Sequence, residues 1–322
     1  MAIPSISGNE GEVGSFLSAH LASAGYRVET QVVESGRSNV MAFAGDDPKV
    51  VFCTHIDTVP PFLPVHEDEA CLYGRGACDT KGIIAAMLEA GDRLRRSGVK
   101  SFAYLFVVGE EVNGAGARAA NSLKWKSEFV IVGEPTDNLM ATAQKGTFNV
   151  NLKFEGRAAH SGYPEKGISA IEGLWSVLSD CQAADWGNDP VLGKGTFNIG
   201  VFSGGERANI VPAAAMASCM IRTVEPGTRI EEKLRQAVRD RAAMEIMSRN
   251  NPQVMHVVDG FKTTVVSFGS DVPYLGNLGK PLLMGPGSIL LAHTADERIS
   301  KRELLEGADL YERLAGRLLH GS

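Results

Sequence analysis

Five short stretches of this sequence are apolar almost without interruption: Lys49–Thr54, Ser101–Val108, Phe129–Val132, Thr263–Phe268 and Pro281–Met284. A half-exposed strand would alternate. A continuous run suits a strand covered on both faces. Helical patterns fall between the runs, at Gly82–Arg96 and Arg302–Leu319, and an amphipathic segment over 10–25 opens the chain. Buried strands alternating with helices specify an α/β layer with a mostly parallel sheet.

Residues 147–258 read differently. Phe148, Val150, Leu152 and Phe154 alternate with polar residues, as in a strand with one wet face. A helix follows at Ser169–Cys181, then strands near Thr196–Phe202 and Ala213–Thr223, a charged helix over about Ile230–Ala243, and a last strand near Pro252–Val258. That order is the ferredoxin-like α+β module. It interrupts the first layer, so the expected organisation is a discontinuous catalytic domain of 1–146 and 259–322 with an inserted domain of 147–258. A chain of 322 residues suits two domains.

Composition narrows the function. A formal charge of -6 is the wrong sign for a nucleic-acid binder, and no apolar run is long enough to span a membrane. The five cysteines form no CxxC pair, and the N-terminus has no signal-peptide pattern, so the expectation is reduced thiols in the cytoplasm.

Ligands in open α/β sheets bind beyond the carboxyl ends of the strands, and that is where the chemistry-bearing residues cluster. In Thr54-His55-Ile56-Asp57, residues two apart share a side. His55 can thus ligate a metal while Asp57 accepts the other imidazole N–H. Asp79, in Gly74–Gly82, sits before a helix; it suits an N-cap, and its two oxygens also suit a carboxylate shared by two cations. Glu110 and Glu111 would repel each other without a positive partner. With a dication nearby, one can ligate while the other acts as general base. Glu134 and His293 complete the set. Each motif alone is commonplace; together they match the mixed N/O ligation of catalytic zinc.

These residues resemble the M20 metallopeptidases, a family that includes acetylornithine deacetylase, succinyl-diaminopimelate desuccinylase, aminoacylase and glutamate carboxypeptidase. The matching segments are His55–Pro60, Gly74–Gly76 with Asp79–Gly82, Gly109–Glu111, Gly133–Thr136, Ala159–Pro164, Asn209–Pro212, and Gly285–Gly287 with Ala292–Thr294, in family order over nearly the whole chain. The resemblance implies two divalent ions, zinc or cobalt, one held by His55 and Glu134 and the other by Glu111 and His293, with Asp79 shared. It implies Glu110 as base, Asp57 as orienter of His55, and a cis peptide at Asp79-Thr80. The inserted domain would serve as lid and dimerisation domain of a homodimer. His160 would reach the partner's site, and Asn209, Arg222 and Tyr163 would bind substrate. The chain departs from the family in a short N-terminus and in Met220, where an acidic residue often precedes the lid arginine.

The expected activity is hydrolysis of the amide bond of an N-acyl amino acid, most like the deacetylase or the desuccinylase. A di- or tripeptidase on the same scaffold is the alternative within the family. A non-catalytic binding protein with a vestigial site is the alternative outside it.

Overall fold

The computed structural model describes residues 1–320. The chain forms two compact units: Met1–Thr142, Met255–Thr264 and Ser270 onward make one, and Ala143–Val254 with Val265–Gly269 make the other. Val265–Gly269 falls with the second unit, where the Val266 carbonyl accepts from the Lys145 N–H at 3.1 Å.

The first unit is built on a six-stranded sheet. Its spatial order is Arg27–Glu34, Arg37–Phe43, Phe102–Val107, Val50–His55, Phe129–Val132, Lys280–Leu283. The last four strands run parallel, and the first two form an antiparallel hairpin at one edge. Val50–His55 and Phe102–Val107 are buried at every residue, as continuous apolar runs require. Helices Lys81–Arg96 and Lys301–His320 pack on each other and on Val50–His55, while Gly11–Ser23 packs on Arg37–Phe43. Tyr104 lies at the centre of an aromatic cluster, its ring 5.3 Å from Tyr26, 5.8 Å from Phe52 and 5.6 Å from Phe106. Burying a ring of that size contributes roughly 1.5–3 kcal/mol, so this cluster fixes the helices against the sheet.

The second unit has the order strand, helix, strand, strand, helix, strand. Its antiparallel sheet runs Thr196–Gly204, Ala214–Thr223, Gly146–Glu155, Ala243–Asn250. Phe148, Val150 and Leu152 face helices Ala170–Ala183 and Gly227–Val238, which close a core with Leu174, Leu178, Ile230 and Leu234. The Ser169 Oγ caps the first of these helices by accepting from the Glu172 N–H at 3.3 Å.

Two expectations need correction. The second helix ends at Val238, because Arg239 and Asp240 turn left-handed at φ 53° and 56°; the last strand is then Ala243–Asn250, earlier than Pro252–Val258. Met244 and Ile246 carry its period-two pattern into the core. Thr263–Phe268 is no central strand. Its ordered part, Thr263–Val266, is an outer strand of a small sheet with Met140–Gln144 and Gln253–Val254, and its side chains alternate in exposure. Of the described residues, no helix is long and apolar enough to cross a membrane, and all five cysteines are free thiols.

Candidate metal centre

Parallel strands bring their carboxyl ends to one edge. His55 ends its strand there; Glu110 and Glu134 follow Phe102–Val107 and Phe129–Val132 by a few residues. The Gly285–Gly287 turn follows Lys280–Leu283 and is tied to the Glu134 turn: Thr136 N–H donates to the Gly285 carbonyl at 3.2 Å and Asp137 N–H to the Gly287 carbonyl at 2.8 Å. Gly133 lets Glu134 come close to the helix below, since a Cβ there would meet Ile83 Cγ2 at 2.4 Å and Met87 Cε at 2.6 Å. Gly109 turns left-handed at φ 77° immediately before Glu110.

The side chains converge on Asp79. Its Oδ1 is 3.0 Å from His55 Nε2 and its Oδ2 is 3.2 Å from His293 Nε2. His293 Nε2 is also 3.0 Å from Glu111 Oε1. The ligating atoms of His55, Asp79 and Glu111 all lie within 4.8 Å of one another. One carboxylate therefore faces two imidazoles, one oxygen to each. His55, Asp79 and Glu134 are buried, whereas the His293 side chain is 49% exposed, so the centre opens to solvent on the His293 side. His293 is held left-handed at φ 63°, an uncommon state for a non-glycine residue. The Asp79-Thr80 peptide is cis.

Asp57 meets the His55 ring and also holds the neighbouring backbone. His55 Nδ1 lies 2.9 Å from the Asp57 main-chain carbonyl, with the carboxylate further off at 3.6 Å. The carboxylate accepts from the Glu110 N–H at 3.1 Å, the Glu111 N–H at 3.2 Å and Ser7 Oγ at 2.6 Å. Burial alone would raise this carboxyl, but His55, Ser7 and the Glu110 amide outweigh it and hold it below its ordinary value. Asp57 thus anchors the backbone that carries both glutamates.

The electrostatics suit cations. Burial pushes Glu110 well above its ordinary value, and the charges of Asp271, Glu111 and Asp57 add to it; His55 opposes. Burial does the same to Glu134, reinforced by Glu110, Asp79 and Asp271. Hydrogen bonds to Asp79 and Glu111 push His293 up to about 10. Six carboxyl groups, those of Asp57, Asp79, Glu110, Glu111, Glu134 and Asp271, thus interact around the buried His55, with the half-exposed His293 on the open side. Were all six ionised, two protonated imidazoles would fall short of balancing them, and that crowding adds to burial in raising Glu110, Glu134 and Asp271. Divalent ions supply the missing positive charge, and carboxylate with imidazole is the donor set that zinc and cobalt take.

Two contributors were not foreseen from sequence. Asp271 is 2% exposed, and neither carboxylate oxygen has a hydrogen-bond partner. It follows the run Thr263–Phe268, which belongs to a separate small sheet, so the strand-end rule for the parallel sheet does not reach it. Glu297 is 1% exposed and bonds to the Asp79 loop; no spacing in the sequence points to it.

The second-unit candidates fall in two places. His160 pairs with Ile210 in a short antiparallel bridge, Ser161 N–H donates to the Asn209 carbonyl at 3.0 Å, and Tyr163 N–H donates to the His160 carbonyl at 2.8 Å. His160 is exposed, and its Nδ1 accepts from the Gly162 N–H at 3.0 Å. Arg222 is on Ala214–Thr223, opposite Thr147 and Thr196, at the far end from the Asn209–Pro212 turn. Eight residues of strand separate Ala214 from Arg222, roughly 25 Å. Within one chain, His160, Asn209 and Tyr163 form one group and Arg222 stands apart from it.

Residues 51–317 match Peptidase family M20/M25/M40. The chain belongs to that family. A peptidase M20 domain-containing protein of Schizosaccharomyces pombe is 38% identical over 97% of this chain and 81% of its own length. A probable carboxypeptidase of Aspergillus terreus is 36% identical over 97% of this chain and 83% of its own. Among solved structures, a Staphylococcus aureus tripeptidase superposes with TM-score 0.80 at 22% identity, covering 98% of this chain and 95% of that one. An M20 family metallo-carboxypeptidase of Sulfolobus solfataricus gives 0.78 at 17%, covering 96% and 95%. This M20 chain is accordingly a metal-dependent hydrolase of the peptidase type, with the family's α/β fold.

Proposed function

We propose that this M20 hydrolase cleaves the amide bond of a short peptide or an N-acylated amino acid, using two divalent ions held by His55, Asp79, Glu111, Glu134 and His293. The observation that carries the reading is Asp79, whose two oxygens each face a different histidine. Ions bound there would supply Lewis acidity to the scissile carbonyl and to water. Glu110 takes the proton of the attacking water on its carboxylate and returns it to the leaving amine nitrogen. Asp57 fixes the two amides that aim Glu110 and Glu111. His160, Asn209, Tyr163 and Arg222 read the substrate. Because His160 lies on a short bridge next to the Ala214 end of Ala214–Thr223 and Arg222 near the other end of that strand, a small substrate that meets both favours a homodimer.

The relatives' names favour a peptide over the acetylornithine or succinyl-diaminopimelate type of substrate, so the peptidase reading comes first. Turnover of a panel of di- and tripeptides and N-acyl amino acids, with zinc or cobalt added, tests it. Cleavage of peptides in preference to acyl amino acids, abolished by a chelator, is expected. Preference for an acyl amino acid would move the substrate class. A metal-loaded protein inert to every amide would return the chain to a binding role.

A further inference from the structure

Glu297 and Arg75 form a buried ion pair beside the centre without belonging to the ligand set. Arg75 Nη1 donates to Glu297 Oε2 at 2.6 Å, and the two residues are 2% and 1% exposed. The other oxygen, Oε1, lies 3.3 Å from both the Cys78 and the Asp79 amide nitrogens, which donate to it. The Glu297 main-chain carbonyl accepts from Gly74 N–H at 3.0 Å. Arg75 reaches two more loops: Nη1 donates to the Thr294 carbonyl at 3.2 Å, one residue past His293, and Nε to the Pro61 carbonyl at 3.2 Å.

We propose that the Arg75–Glu297 pair is a positioning device that holds Asp79 and His293 in register for the divalent ions and thereby sets metal affinity. The proposal rests on the metal-hydrolase reading above. A carboxylate oxygen that accepts two successive amides, even at 3.3 Å each, restrains the plane of the Cys78-Asp79 peptide. The Asp79 side chain hangs from that peptide with one oxygen toward each histidine. Rotating the peptide moves the shared carboxylate off at least one imidazole. Through Thr294, the same arginine sets the backbone that carries His293. Partners of this kind, one bond removed from the metal, typically change affinity about 10–100-fold when altered.

The test is a zinc titration against a competing chromophoric chelator, with far-UV circular dichroism and thermal melting on the same samples. Wild type comes first: a chain that takes up no zinc overturns the metal-hydrolase reading itself, before any variant is measured. Given uptake, Glu297→Gln is expected to bind zinc about 10–100-fold more weakly with its helix content intact. Leu94→Ala, in the core at the end of Lys81–Arg96 away from Asp79, lowers stability and is expected to keep wild-type affinity. If Glu297→Gln does not fold, Arg75→Met with Glu297→Gln removes both buried charges and leaves an oxygen for the two amides. That double variant loses the arginine contacts to Thr294 and Pro61 and is expected to bind zinc weakly too. Wild-type zinc affinity in a folded Glu297 variant overturns the proposal, as does an equal loss in Leu94→Ala.

Discussion

At the scale of the residue, the centre is defined by which carboxylates are held and which are free to act. Glu111 meets His293, and Asp79 meets both histidines. Glu110 has its backbone fixed by Asp57, and its side chain is left for a proton. Glu110→Gln keeps the volume and removes the basic oxygen. It is expected to lower turnover about 10²–10⁴-fold with zinc uptake unchanged, measured as kcat beside a zinc titration. Turnover like wild type would place the base elsewhere. Asp271 gives a second prediction, for metal-free protein. Burial first, then the charges of Asp57 and Glu111, raise its carboxyl to about 7, with His55 and Arg118 opposing. A raised acid binds its proton more tightly when folded, so its stabilising effect is complete below the unfolded value near 4 and is lost as pH rises toward 7. Asp271→Asn removes that loss. Its melting temperature, relative to wild type with chelator present, is expected to rise between pH 4 and pH 7; a difference flat across that range would show that Asp271 does not titrate there. The cluster of His55, Asp79, Glu111 and His293 was legible because loop position and residue type coincide there. The bond actually made by Asp57 was not, since HxD spacing leaves open whether carbonyl or carboxylate meets the ring.

At the scale of the element, legibility tracked burial. Runs covered on both faces, such as Val50–His55 and Phe102–Val107, carry their own signature because no polar face interrupts them. Helices Lys81–Arg96 and Lys301–His320 announce themselves by period. The edge hairpin Arg27–Phe43 begins with a strand of mostly exposed polar residues that carries no buried run, and its second strand has only the short buried run Val40–Phe43. The segment Ala243–Asn250 misled for a related reason: Arg241-Ala242-Ala243-Met244-Glu245 is rich in helix formers, and pairing with Gly146–Glu155 overrides that propensity. Close packing of helix on strand end gives a third prediction. Gly133→Ala drives a Cβ into Ile83 and Met87, and overpacking of this kind costs about 1–3 kcal/mol. Denaturant unfolding is expected to register that loss, together with weaker zinc binding because Glu134 is displaced along with its backbone. Unchanged stability would mean that Ile83 and Met87 yield without strain.

At the scale of the whole molecule, the question is how many chains complete one site. His160 is exposed, presented on a two-residue bridge, with Asn209 and Tyr163 at its side. Arg222 is on the separate four-stranded sheet, near the end of Ala214–Thr223 away from this bridge, so a single copy of the second unit is expected to offer a small substrate one group or the other. The outer strand Thr196–Gly204 pairs on one side alone and exposes Val201 and Phe202, which leaves an edge and apolar surface for covering. A twofold contact of identical surfaces covers both at once. The prediction is that Glu110 of one chain works with His160 of another. Glu110→Gln and His160→Ala, each inactive alone as a homodimer, are mixed and allowed to exchange subunits, with mass determination confirming the dimers. Random pairing makes about half of the dimers mixed, and each mixed dimer holds one site with both groups intact, so about a quarter of wild-type activity returns. Recovery near that fraction supports a site shared between chains. An absence of recovery after confirmed exchange would assign His160 to its own chain or remove it from the reaction, and a monomer in solution at assay concentration would end the shared-site reading outright.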